Sequence, residues 1–166
     1  MTRSAKPGRR AIRVLFVCTG NICRSPTAEG VFRALLTAEG LDGQVDVESA
    51  GTHGYHIGEP PDARSQEAAL RRGIDLSGHR ARRTRPSDFT DFDYVLAMDD
   101  SNLDALGRAP ADGAEVGLFL DFAPKLNERE VPDPYYGGAS GFEHVLDLVE
   151  AASAGLLAAI RERHLT

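Results

Sequence analysis

The sequence predicts an α/β fold, a three-layer sandwich in which helices flank a central four-stranded parallel twisted sheet. Four short apolar runs of strand length alternate along the chain with segments whose apolar residues repeat at helical spacing. Such an alternation joins parallel strands by right-handed crossovers and places helices on both faces of the sheet. The chain has 166 residues, the length of one domain, and contains no internal repeat. We therefore expect a single domain over residues 11–166.

The first strand and the first helix are the most clearly marked elements. Residues 12–17, Ile-Arg-Val-Leu-Phe-Val, are rich in β-branched and other apolar side chains, which indicates a strand buried on both faces. Ser25 and Pro26 predict the start of a helix, because Ser is a good N-cap and Pro suits the first helical position. Apolar residues then repeat at helical spacing as far as Gly40.

The later elements follow the same alternation. Apolar runs predict three further strands, at residues 45–50, 92–98 and 116–120. Periodic or capped segments predict three further helices, at residues 62–72, 99–106 and 140–163. Ligands of such sheets bind outside the carboxyl ends of the strands. The loop after Val17 is therefore the first candidate for a functional site.

Charge and composition exclude several classes of protein. The 19 Lys and Arg residues are outnumbered by 25 Asp and Glu, which gives a formal net charge of −6 and argues against general nucleic-acid binding. No apolar run approaches the roughly 18 residues that a membrane span needs, so we expect no membrane insertion. The basic residues 1–10 lack a following apolar h-region, and we expect a disordered tail rather than a secretory signal.

The cysteine content favours a reducing compartment, the cytoplasm. The two cysteines, Cys18 and Cys23, are five positions apart and cannot staple a disulfide-built fold. No group of His, Cys, Asp and Glu shows metal-ligand spacing, so we expect neither a metal nor another cofactor. Export without a signal peptide stays open.

The loop over residues 18–25, Cys-Thr-Gly-Asn-Ile-Cys-Arg-Ser, has the features of an anion site. Gly20 and Asn21 are best able to adopt a positive φ, so the loop can curl with its N–H groups pointing inward. The helix N-terminus and the planar guanidinium of Arg24 would then bind a tetrahedral oxyanion. These positive surroundings should lower the pKa of the Cys18 thiol from its free value of about 8.5 and make it a nucleophile.

A Cys-x5-Arg pattern alone occurs by chance in many unrelated proteins. Here the pattern lies between a buried strand and a capped helix, which is the context that supports the chemistry. The Ser25 hydroxyl can donate to the sulfur of Cys18 when that sulfur becomes a leaving group.

Residues 17–26, Val-Cys-Thr-Gly-Asn-Ile-Cys-Arg-Ser-Pro, and residues 133–136, Asp-Pro-Tyr-Tyr, resemble motifs of the low-molecular-weight protein tyrosine phosphatases of bacterial type. The resemblance covers about residues 12–160. It implies hydrolysis of phosphotyrosine with nucleophile Cys18, oxyanion clamp Arg24 and general acid Asp133. It also implies a phosphate-binding loop made of Thr19, Gly20, Asn21, Ile22, Cys23 and Ser25.

The role implied for Asp133 has physical requirements. The carboxyl must arrive protonated, and a phosphate dianion in the same site would raise its pKa. Pro134 biases the backbone of Asp133 toward an extended conformation, which fixes where the carboxyl points. Once ionised, Asp133 would activate the water that hydrolyses the phosphocysteine.

The resemblance also implies supporting residues around the loop. Tyr55 and Tyr135 would form opposite aromatic walls of a slot that is deep enough for phosphotyrosine and too deep for phosphoserine. The family often has Trp where this chain has Tyr55. Ser49 and His79 match residues that hydrogen-bond to the loop Asn, here Asn21, because a left-handed residue other than Gly must be held by its surroundings.

Three other functions compete with this interpretation. A thioredoxin-coupled arsenate reductase of the same fold would need further cysteines beyond Cys23. A protein-arginine phosphatase carries Thr where Ile22 stands, and the bulkier Ile favours phosphotyrosine. A phosphate-binding module without catalysis would not need the complete set of reactive side chains.

The expected partner is a phosphotyrosine-bearing protein, with a cognate bacterial tyrosine kinase as one candidate, and the expected state is a monomer or weak dimer. Two regulatory questions stay open at this point. Cys23 either traps an oxidised Cys18 as a reversible disulfide or is a small packed side chain. Tyr135 and Tyr136 are phosphorylation sites in some relatives.

Overall fold

A computed structural model describes residues 11–135 and 137–165. Its four strands form one parallel sheet in the order β2-β1-β3-β4. The strands are β1 Ile12–Cys18, β2 Val45–Gly51, β3 Tyr94–Ala97 and β4 Glu115–Leu118. The helices are α1 Arg24–Ala38, α2 Ala63–Leu70, α3 Asp88–Asp91, α4 Asp100–Leu106 and α5 Ala139–His164, with a 3-10 helix over Phe119–Phe122. The predicted fold class is confirmed, whereas the predicted tail at residues 1–10 lies outside the described residues.

Strand β1 lies in the centre of the sheet, and its apolar side chains enter two different cores. Val14 and Phe16 join the larger core, which contains the buried residues of α1 and α5. Leu15 and Val17 join a smaller core on the opposite side. A strand buried on both faces needs a nearly continuous apolar run, which is the pattern that predicted it.

The structure corrects the predicted start of α1. The helix begins at Arg24, and Ser25 is not the N-cap, because Cys23 occupies that position without a side-chain cap. Pro26 is accordingly the third helical residue. The Ser25 hydroxyl is engaged elsewhere, 3.0 Å from the sulfur of Cys18.

Other boundaries differ by a few residues. The last strand ends at Leu118, because residues 119–122 turn into the 3-10 helix, and the third strand is shorter than its apolar run. Helix α3 has only four residues and carries no apolar periodicity that could have predicted it. None of the helices in the described part of the chain combines the length and apolar character that crossing a bilayer would require.

Candidate active site

The loop between β1 and α1 lies at the carboxyl end of the sheet and borders a cavity of about 200 Å³. The lining residues come from three separate segments: Cys18, Thr19, Gly20, Ile22, Cys23, Arg24, Tyr55, His56, Asp133 and Tyr135. Four of the predicted site residues do not line it: Asn21, Ser25, Ser49 and His79. Asn21 is hydrogen-bonded to each of the other three beside the loop. Sequence reasoning missed His56, which has no motif signal.

Asn21 is the one non-glycine residue with positive φ, at 59°, in the described ranges. Its Nδ2 donates to Ser25 Oγ at 2.8 Å and to Ser49 Oγ at 3.0 Å. Its Oδ1 is 3.1 Å from His79 Nε2 and accepts from the backbone N–H of Arg82 at 3.0 Å. The side chain is fully buried, so these contacts hold a conformation that the backbone would otherwise disfavour.

Two glycines of the site lie in close contacts without positive φ, and at Gly51 the contact is with backbone atoms. Gly20 is not left-handed, which corrects the sequence expectation; a Cβ at Gly20 would lie 2.9 Å from His56 Cδ2. A Cβ at Gly51 would lie 2.6 Å from the Thr19 carbonyl oxygen and 3.1 Å from the Asn21 nitrogen. Gly51 therefore lets the loop backbone lie against the end of β2, a requirement that the sequence did not reveal.

Glu29 forms a second layer of support that sequence reasoning missed. Ser49 Oγ donates to Glu29 Oε1 at 2.7 Å, and His79 Nδ1 lies 3.4 Å from the same oxygen. Burial opposes the charge of Glu29, but the hydrogen bonds from His79 and Ser49 and the nearby Arg33 outweigh it and lower its pKa. The resulting carboxylate anchors Ser49 and His79, two of the three side chains that hold Asn21.

Arg24 is only 2% exposed and is held by three acceptors. Its Nη1 donates to Asp99 Oδ2 at 2.6 Å and to the Val131 carbonyl at 3.1 Å, and its Nη2 donates to Thr19 Oγ1 at 3.3 Å. Burial opposes the charge, but Cys18 and Asp99 stabilise it more, so the pKa of the guanidinium is raised. Asp99 follows β3 at the same sheet edge, which is the signal that could have predicted it.

Asp133 lies at the mouth of the cavity, with 44% of its side chain exposed. Its Oδ1 accepts from the backbone N–H of Tyr135 at 3.0 Å, which fixes the direction of the carboxyl group. Its Oδ2 is 3.7 Å from Arg24 Nη2. The structure therefore brings Asp133 to the same cavity as Cys18, over a sequence separation of more than one hundred residues.

The two cysteines of the loop are both free and buried. Burial raises the pKa of the Cys23 thiol to about 12, and the negative charges of Asp62, Cys18 and Asp133 add to this effect, against a hydrogen bond with Ser65. Cys23 is therefore a neutral thiol at physiological pH.

Two tyrosines flank the mouth of the cavity. Tyr55 is 70% exposed and stacks on His53, with ring centroids 5.1 Å apart and ring planes at 16°. The Arg64 guanidinium lies over the Tyr135 ring, with its central carbon 5.5 Å from the ring centroid. The backbone carbonyl of Tyr135 accepts a hydrogen bond from Arg64 Nη2 at 2.9 Å. The described part of the chain contains no cluster of three or more His, Cys, Asp or Glu side chains that could hold a metal ion.

Comparisons with known proteins identify the family of this chain. The sequence model of the family low molecular weight phosphotyrosine protein phosphatase matches residues 13–165. The chain is 50% identical over 156 residues to the low molecular weight protein-tyrosine-phosphatase of Streptomyces coelicolor, covering 91% of this chain and 94% of that one. It is 47% identical over 136 residues to the human low molecular weight phosphotyrosine protein phosphatase, covering 80% and 85%. The crystal structure of YfkJ from Bacillus subtilis superposes with a TM-score of 0.87 at 41% identity, covering 95% and 98%.

Proposed function

The chain belongs to the low molecular weight phosphotyrosine protein phosphatase family, and from this we propose that Cys18, Arg24 and Asp133 carry out the reaction. It is a protein-tyrosine-phosphatase, a phosphoric monoester hydrolase that uses a cysteine nucleophile and acts on phosphoproteins. One observation carries the assignment of residues: a thiol, a buried guanidinium and a carboxyl group line the same cavity. We propose one phosphatase domain over residues 11–166, in agreement with the extent of the family match.

In the first step, the Cys18 thiolate attacks phosphorus in line with the bond to the tyrosyl oxygen. The S–P bond forms as the P–O bond breaks, and Asp133 donates its proton to the departing phenolate oxygen. The exposed position of Asp133 at the cavity mouth supports this role, because the leaving group departs toward solvent.

In the second step, water attacks the phosphorus of the phosphocysteine. The ionised Asp133 takes a proton from that water, the S–P bond breaks, and inorganic phosphate and the thiolate are released. The Ser25 hydroxyl, 3.0 Å from the sulfur, stabilises the leaving thiolate by hydrogen bonding.

The hydrogen-bond inventory of Arg24 supports its role as oxyanion clamp. A guanidinium has five N–H donors. Asp99, Val131 and Thr19 accept three of them, which leaves one on Nη2 and one on Nε without an acceptor in the described chain. Two such donors match two oxygens of a phosphoryl group in a bidentate arrangement, and the loop amides of residues 19–24 bind its oxygens as well.

The side chains that line the site favour an aromatic phosphate ester. Tyr55 and Tyr135 line the cavity, as does Ile22, whose side chain is 8% exposed. The alternative substrate class is phosphoarginine, the substrate of an arginine phosphatase of the same fold. A thioredoxin-coupled arsenate reductase has less support, because both cysteines lie in one loop and no further cysteine is present.

The finer biological setting is also a proposal. A nucleophilic thiol must stay reduced, which supports a cytoplasmic location. We propose a phosphotyrosine protein such as a cognate bacterial tyrosine kinase as substrate, and a monomer or weak dimer as the working state.

Replacement of the nucleophile tests the mechanism directly. Cys18→Ser should abolish hydrolysis of p-nitrophenyl phosphate, because the alcohol is a poor nucleophile without an activating base. It should leave the binding of inorganic phosphate intact, measured as a rise in Tm on phosphate addition. Acid quenching of the unmodified enzyme with labelled substrate should trap phosphorus on the thiol. Turnover by Cys18→Ser, or the lack of any trapped phosphocysteine, would remove Cys18 from this role.

A further inference from the structure

A buried amide of helix α4 contacts the phosphate-binding loop. Asn102 is 1% exposed, and its Nδ2 donates to Thr19 Oγ1 at 3.0 Å. Its Oδ1 is buried and accepts no hydrogen bond from any described residue. A buried amide oxygen without a partner costs free energy, so the position of Asn102 calls for a functional explanation.

The contact of Asn102 closes a ring of hydrogen bonds around the guanidinium. Thr19 Oγ1 accepts from Arg24 Nη2 at 3.3 Å as well as from Asn102 Nδ2. The backbone N–H of Asn102 donates to Asp99 Oδ1 at 2.8 Å, and Asp99 Oδ2 accepts from Arg24 Nη1 at 2.6 Å. Both terminal nitrogens of Arg24 are therefore tied, through different side chains, to the start of one helix.

We propose that Asn102 is a positioning residue for Arg24 and acts through the Thr19 hydroxyl. Asp99 and the Val131 carbonyl accept from Nη1 only, whereas Nη2 has the Thr19 hydroxyl at 3.3 Å and the Asp133 carboxylate at 3.7 Å. The Thr19 hydroxyl therefore helps to fix the direction of the Nη2 donors. Asn102 fixes in turn the rotamer of Thr19 that presents a lone pair to Nη2. The inference rests on the proposed role of Arg24 as oxyanion clamp. A small displacement of such a clamp is costly, because the reacting groups must be aligned in the transition state.

A double-mutant cycle on Asn102 and Thr19 tests the proposal. We expect Asn102→Ala and Thr19→Val each to lower kcat by about tenfold with little change in KM, since the clamp acts on the transition state. Adding Asn102→Ala to Thr19→Val should cause no further loss, because the hydroxyl through which Asn102 acts is already absent. Thr19→Ser, which keeps the hydroxyl, should retain most of the kcat of the unmodified enzyme.

The controls separate this proposal from the one on which it rests. Asn127→Ala, at an exposed asparagine outside the cavity, should behave as the unmodified enzyme. An unchanged kcat in Asn102→Ala would overturn the positioning role, and so would losses that multiply in the double variant. Neither outcome touches the role of Arg24 as long as Arg24→Ala abolishes activity. Retained activity in Arg24→Ala would instead overturn the proposed function. If Asn102→Ala fails to fold, Asn102→Ser replaces it in the same cycle.

Discussion

Two cysteines five residues apart lie in different electrostatic surroundings. Cys18 has the Ser25 hydroxyl at 3.0 Å, and a thiolate at this position favours the charged form of Arg24, whose pKa is raised. Cys23 is buried near Asp62, and the pKa of its thiol is raised to about 12. The thiolate is the nucleophilic form of cysteine, so burial and neighbouring carboxylates keep Cys23 out of the reaction.

The role of Asp133 predicts a dependence on the leaving group. Asp133→Asn should slow the release of phenol from phenyl phosphate by about 10²–10⁴-fold, the usual contribution of a general acid. The first step with p-nitrophenyl phosphate should slow much less, because its leaving group is a weaker base. The measurement is the pre-steady-state release of the aryl alcohol, which reports the first step alone.

A matched control for that experiment is Asp112→Asn, at an exposed carboxylate outside the cavity. It should leave both rates unchanged. An equal loss of rate for the two esters in Asp133→Asn would contradict the assignment of Asp133 as proton donor.

Helix α5 packs against the 3-10 helix at a position where only glycine fits. A Cβ on Gly155 would lie 1.8 Å from the Phe122 carbonyl oxygen, a distance that forces the backbone to move. Gly155→Ala should therefore destabilise the protein by about 1–3 kcal/mol, despite the better helix propensity of Ala. We expect a fall in Tm of several degrees in thermal unfolding followed by circular dichroism.

The same helix offers the comparison for this variant. At Gly141 a Cβ would be 3.5 Å from the Pro134 Cβ, an ordinary contact. Gly141→Ala should accordingly leave Tm unchanged or raise it slightly. Equal Tm values for the two variants would show that the close approach at Phe122 is not a constraint.

The cavity belongs to the whole molecule, because its walls come from segments far apart in the chain. The loop after β1, residues 55–56, and residues 133 and 135 all contribute to its lining. We expect turnover of a phosphotyrosine peptide to exceed that of matched phosphoserine and phosphoarginine peptides by at least tenfold in kcat/KM, since an aromatic ester can pack against Tyr55 and Tyr135 while its phosphate binds the loop. Faster turnover of the phosphoarginine peptide would reassign the substrate class.

The sequence alone determined the fold class, the four strands and the four longer helices to within a few residues, and the loop at the end of β1. These features are encoded locally, in the period of apolar residues and in the spacing of the motif between Cys18 and Arg24. The start of α1 was misplaced, because Ser25 has the character of an N-cap and nothing local shows that its hydroxyl is bound to Cys18.

Only the tertiary structure decided which side chains hold the loop and its arginine. Asp99, Glu29 and the backbone of Arg82 do so, and each of these residues also has an ordinary local explanation. Asp99 caps helix α4, Glu29 is a charged residue on a helix, and Arg82 belongs to an arginine-rich stretch of the sequence. Their roles arise from the strand order β2-β1-β3-β4, which brings the ends of β2 and β3 to either side of the loop after β1. That order depends on the burial of the whole sheet between its helices, and no local pattern of residues records which distant groups become neighbours.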